Sequence, residues 1–61
     1  MSTLQWRVIS NAVVHGKEWA VHYEARRFMR RGGLSYRVAH MMAAQLVTNI
    51  IADCEVQNVS V

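Results

Sequence analysis

Trp19, Tyr23, Arg26 and Arg30 follow one another at intervals of four, three and four residues, the spacing that sets side chains on one face of a helix. Such a face joins cations for phosphate oxygens to aromatic rings on which bases stack. Arg27, Arg31 and Arg37 widen the positive field. The competing reading is structural: guanidinium groups lie over the two rings as internal cation–π packing, or the arginines are a solvated helix face. Other chemistry is poorly supplied. Cys54 is the single cysteine, and a nucleophile needs a neighbouring base and a group to orient it; its expected place is as a small apolar residue on a core face. His15, His22 and His40 do not form a ligand pair at metal-binding spacing. His22 and Glu24, two residues apart, point in different directions on a helix. The Gly32-Gly33 pair is too short a run to cradle a phosphate. Enzymatic activity, a metal, a cofactor and a small-molecule substrate are therefore not expected.

The charges are divided along the chain. All seven basic residues fall within the first 37 positions against Glu18 and Glu24, so this part carries +5; the remainder, with Asp53 and Glu55 and no base, carries −2, which recovers the net +3. The basic part suits an anionic partner and the remainder suits protein. At 52% hydrophobic and 18% charged residues the composition is that of a folded domain, not a disordered tail. A chain of 61 residues buries only ~60% of the surface it exposes when unfolded. With no disulfide or metal to help, oligomerisation is the remaining route to stability. No apolar run approaches the ~20 residues of a membrane span and no signal-peptide pattern opens the chain, so a cytoplasmic location and no membrane partner are expected.

Proline is absent and glycine punctuates the chain at Gly16, Gly32 and Gly33, dividing one domain, residues 1–61, into three blocks. In the last, Ser35 is suited to cap a helix over residues 36–54. Ala39, Ala43, Leu46, Val47, Ile50 and Cys54 share one face of it, with Tyr36 alongside. The opposite face mixes Arg37, His40, Gln45, Thr48 and Glu55 with Met41, Ile51 and Ala52, and a helix apolar nearly all round requires a second contact, most simply a twin subunit. The middle block, Lys17 to Arg31, has Glu18 in its first turn and Arg30 and Arg31 in its last, the order a helix dipole favours. Its apolar face is Val21, Ala25, Phe28 and Met29. The alternative takes Trp19, Val21, Tyr23 and Ala25 as one side of a strand after a His15-Gly16 hairpin turn. The first block, Leu4 to His15, reads two ways: Leu4, Trp6 and Val8 alternate as in a strand, while Leu4, Val8 and Ala12 repeat as in a helix that Ser2 or Thr3 can cap. The helical reading is taken, which predicts an all-α fold of three short helices with a helix-turn-helix-like hairpin, dimeric; the alternative is α+β, an N-terminal strand or hairpin before a long helix. Residues 55–61 also alternate and admit an added edge strand.

The junction from Glu24 to Ala39, E-A-R-R-F-M-R-R-G-G-L-S-Y-R-V-A, resembles the segment of helix-turn-helix DNA-binding proteins, resolvases and transposases among them, in which a basic helix ends at glycine and a Gly-Leu-Ser-Tyr-Arg run opens the next. Gly33 permits the reversal, Leu34 plugs the gap between helices, Ser35 caps, and Val38 with Ala39 allows close approach. The likeness covers about a quarter of the chain. Beyond it, alanine stands at position 43 where the family places glycine. The recognition helix the resemblance implies, Leu46 to Asp53, has no Arg or Lys, leaving Thr48 and Asn49 for base contacts.

Two functions follow as expectations. The first is a small dimeric DNA-binding regulator using Trp19, Tyr23, Arg26, Arg27, Arg30, Arg31, Arg37, Thr48 and Asn49. The second is an inhibitor or adaptor of the kind carried by viruses and mobile elements, docking an apolar helix face on a larger host protein. Val38, Met41, Met42, Ile51 and Ala52 are the expected dimer or partner surface. A ribbon-helix-helix dimer, with Gln5 and Arg7 reading the groove from a paired strand, is a further form of the first.

Overall fold

A computed structural model describes residues 2–59, with side chains described for 2–55. The protein is all-α: α1 spans Thr3–His15, α2 Lys17–Gly32 and α3 Tyr36–Val59. No strand occurs among the described residues, which removes both the hairpin alternative and the ribbon in which Gln5 and Arg7 read a groove.

The β-branched run Val8, Ile9, Val13 and Val14 favours extended backbone, but α1 starts on a reciprocal cap. The Gln5 backbone N–H donates to Ser2 Oγ at 3.2 Å, and the Ser2 N–H donates to Gln5 Oε1 at 2.9 Å. Two N–H groups that a helix start leaves without partners are thereby satisfied. Gln5 is committed to this helix end.

A single residue separates α1 from α2. Gly16 has φ 101° and ψ 159°, a region essentially confined to glycine. Its N–H donates to the Ala12 carbonyl at 2.9 Å, and its own carbonyl accepts from the Ala20 N–H at 3.2 Å, so one residue closes one helix and opens the next. At the other end of α2, Gly33 is left-handed (φ 65°, ψ 22°) and donates to the Met29 carbonyl, as a glycine-terminated helix does. Leu34 packs against the core. Ser35 accepts at Oγ from the Val38 N–H at 3.4 Å and at its carbonyl from the Ala39 N–H at 2.9 Å, starting α3.

At 24 residues α3 is not short, and it runs past the predicted stop at residue 54. Neither glycine nor proline stands between Cys54 and Val59, and lengthening an existing helix is far easier than starting one. The edge strand is thus excluded over residues 55–59; Ser60 and Val61 lie outside the described residues.

The buried apolar core is Val8 of α1, Ala20, Val21 and Ala25 of α2, and Ala39, Ala43, Val47 and Ile50 of α3. Four of these are alanines, whose methyl groups let helix backbones approach closely, and the largest side chains wholly out of solvent are Val8 and Val47. Leu46 and Cys54, predicted on this face, are half-buried. Tyr36 and Val38 are exposed, so the close approach relies on Ala39 alone.

The two ends of α2 respond oppositely to the same substitution. Gly16→Ala meets no steric obstacle but is strained at φ 101°, and a loss of about 1–3 kcal/mol is expected. Gly32→Ala places its methyl 3.5 Å from Leu34 Cγ, an ordinary contact, within a helix where alanine is favoured by up to about 1 kcal/mol. Urea unfolding of the two variants, followed by circular dichroism, reads both signs.

Candidate nucleic-acid interface

α1 lies antiparallel beside α2 along the length of α1. At one end Leu4 shares a cleft with Arg27, Phe28 and Arg31. Midway, Arg7 pairs with Glu24. At the other end the His15 and Trp19 rings meet with centroids 4.0 Å apart and planes tilted by 30°. α3 packs on α2 through the alanine-rich core. The arc of α2 bearing Ala20, Val21, Glu24 and Ala25 is consumed by these contacts, which leaves an outer strip.

The Arg7–Glu24 pair decides the charge of that strip. Arg7 Nε donates to Glu24 Oε2 and Nη2 to Oε1, both at 2.8 Å, the bidentate geometry for which guanidinium is shaped. Glu24 is buried, at 2% exposure. The hydrogen bond to Glu24 raises the Arg7 guanidinium above its ordinary pKa against the opposing effect of burial, with the nearby charges of Glu24 and Tyr23 adding to the rise. The carboxylate from the middle of α2 is therefore turned inward and neutralised.

On the outer strip, Trp19 stacks on Tyr23 with centroids 5.5 Å apart and planes at 18°. With His15 this makes a three-ring ladder running across the Gly16 bend. The rings pack on one another. Tyr23 then borders a shallow depression with Arg26, Arg27 and Arg30. Arg31 turns to the Leu4 cleft. Among the described residues the one ion pair is Arg7–Glu24, so Arg26, Arg27, Arg30 and Arg31 have no carboxylate partner there. Arg37 is exposed in the first turn of α3, a turn without an acid, at the end of the hairpin where Arg30 and Arg31 close α2.

The structure thus gathers Trp19, Tyr23, Arg26, Arg27 and Arg30 on one strip, with Arg31 and Arg37 at its end. It adds His15, which helical spacing does not connect to this face because Gly16 breaks the count between positions 15 and 19. Thr48 and Asn49 do not join them. They are exposed beside Gln45 and Ala52, on the side of α3 turned from its buried face and hence from α2. Residues 46–53 are the middle of one continuous helix, not a separate recognition helix.

No family model, curated protein or solved structure matches the chain. The case for this surface rests on its own geometry.

The expected partner surface divides. Val38, Met41 and Met42 are exposed, Met41 at 66%, and Ala52 is exposed farther along α3. Ile51 does not belong with them: it comes one helical turn after the buried Val47 and is half-buried against the core, beside Ile9, Ala12, Val13 and Cys54 in the groove between α1 and α3. Met41 and Ile51 are ten residues apart, which on a helix sets them about 80° apart around the axis and about 15 Å along it. Trp6, Val13 and Val14 make the outside of α1 apolar as well. His22 and His40 both lie near Tyr36, at centroid distances of 6.1 and 5.6 Å. Among the described residues no three His, Cys, Asp or Glu side chains gather as a metal site, and no helix is long and apolar enough to cross a membrane.

Arg7→Ala strands the Glu24 carboxylate in the interior, a loss of about 3 kcal/mol, the lower end for a broken buried pair because Arg7 is partly exposed. A domain of this length has about 3–9 kcal/mol in all. Arg7→Met combined with Glu24→Leu removes both charges and is expected to recover most of the loss. Thermal melts of the two variants test this.

Proposed function

We propose that this protein is a small, non-enzymatic DNA-binding regulator that grips its nucleic acid with the outer strip of α2. One observation carries the reading. Arg26, Arg27 and Arg30, without carboxylate partners among the described residues, adjoin a ladder of rings with Arg31 at its end, while Glu24 in the middle of the same helix is buried and bound by Arg7 and Glu18, its other acid, lies toward α3. Charges held only for solubility need no such segregation. Phosphates supply the affinity, and bases lie against the exposed parts of the rings or insert beside them. Thr48 and Asn49 have no part in it. A cytoplasmic location fits the role.

The protein acts as a dimer in this reading, joined through Val38, Met41 and Met42 on the first half of α3. That patch lies apart from the α2 strip and is exposed. The same exposure supports a second reading, in which the patch docks on a larger host protein and blocks it. Met41→Asp separates the patch from the fold, since Met41 makes no part of the core. It is expected to turn dimer into monomer in sedimentation while helicity is unchanged. If the protein is monomeric before substitution, and Met41→Asp instead abolishes capture of one stoichiometric, nuclease-resistant partner, the second reading holds.

For the α2 strip, Arg26→Ala with Arg30→Ala is expected to weaken DNA retention at moderate salt and to lower the slope of log affinity against log salt by nearly one unit per lost phosphate contact. Arg37→Glu gives opposite signs in two measurements. A cation in the first turn of a helix opposes its dipole, so the acid is expected to stabilise the fold by about 0.5 kcal/mol while reducing DNA affinity. Unchanged binding in both variants overturns the assignment.

A further inference from the structure

We infer that the nucleic acid held by the α2 strip is single-stranded. The inference rests on the reading above and concerns which form of nucleic acid this surface accepts.

Width argues first. The major groove, about 12 Å wide, admits one helix, and a helix with its side chains is itself about 10–12 Å across. α2 has α1 beside it at three levels, at Leu4 by Phe28, at Arg7 on Glu24 and at His15 on Trp19. The one-residue link at Gly16 leaves no slack for α1 to swing aside. The cationic helix therefore meets its ligand with α1 fixed along its full length, which opposes deep entry into a groove no wider than one helix.

The distribution of charge argues second. A helix lying in a groove has a phosphate backbone on each side and needs cations toward both. Here the cations run along α2, from Arg26 and Arg30 through Arg27 to Arg31, and end at Arg37 of α3, with none free on α1. The neighbouring helix exposes Trp6, Val13 and Val14, and its one arginine, Arg7, is bound to Glu24. One cationic track matches one backbone.

The rings argue third. His15, Trp19 and Tyr23 form a stack whose central indole is 43% exposed. Paired bases within a duplex are already stacked on both faces, whereas unpaired bases are free to lie against or insert beside such rings. α3 offers no competing duplex reader, because between Val38 and Glu55 its charges are acidic apart from His40.

The test uses the full chain carrying Trp6→Phe, so that Trp19 is the remaining fluorophore. It is titrated with oligodeoxythymidine and oligouridine of about 16 nucleotides, the upper end of the site size of one small binding module, and with a duplex of equal length. Tighter binding of either strand than of the duplex, by tenfold or more, is expected, with Trp19 emission quenched and a log–log salt slope of about −3 for four phosphate contacts on a single strand. The tighter of the two strands names the source. Trp19→Ala is expected to cost about ten- to a hundredfold on the single strand, with Trp19→Phe recovering part of it and helicity checked for both. Duplex bound as tightly as either strand, or single strands bound with no change in Trp19 emission, overturns the inference and leaves the α2 reading standing. Binding to none of the three overturns both.

Discussion

The position of one carboxylate organises much of this small molecule. Glu24 projects from the middle of a helix that otherwise presents arginines and rings, and a bare charge there would be costly inside and counterproductive outside. Two guanidinium hydrogen bonds from Arg7 answer both demands. They tie α1 to α2 at mid-length, and they hold the Glu24 charge inside the pair while the arginines of α2 stay outside. A bidentate pair also fixes direction, since a planar fork meets a carboxylate in few orientations. The register of α1 on α2, and with it the placing of His15 over Trp19, depends on this contact.

Around that pin the packing is thin. Alanines at 20, 25, 39 and 43 give α2 and α3 close backbone approach but little apolar area per residue. At about 25 cal/mol for each Å² removed from water, a core of methyl groups and valines leaves a modest margin over chain entropy. Apolar side chains that a larger domain would cover remain outside: Trp6, Val13 and Val14 on α1, and Val38, Met41 and Met42 on α3. They fall on separate faces from the arginines of α2, and Arg37 shares its face of α3 with Met41, so contact with protein and contact with an anion meet only there.

The local signals in the sequence served well where the determinant was local. Gly33 ends α2, Ser35 begins α3, and Ala39, Ala43, Val47 and Ile50 mark the buried face. Trp19, Tyr23, Arg26 and Arg30 fall on one strip because helical spacing alone decides it. α1 was ambiguous because its β-branched residues and its periodicity disagree; the Ser-Thr-Leu-Gln start, a reciprocal capping pattern, holds the deciding signal. The Arg7–Glu24 pair joins residues 17 apart, and nothing at either position announces the other. Ile51 is grouped by the sequence pattern with the polar residues of the opposite face, yet it follows Val47 by one turn and meets α1. His15 joins the ring ladder only because Gly16 reverses the chain in a single step, a geometry no helical count across the break anticipates.

Between Thr3 and Val59 only Gly16 and residues 33–35 lie outside helices. Insertions and deletions settle where backbone is free of helical register, and here the first such place is a strained elbow of one residue while the second contains a cap, a plug and a helix start. A chain built this way can exchange side chains freely on its surface but can scarcely change its length between those bounds. Fusions and affinity tags accordingly belong at its ends.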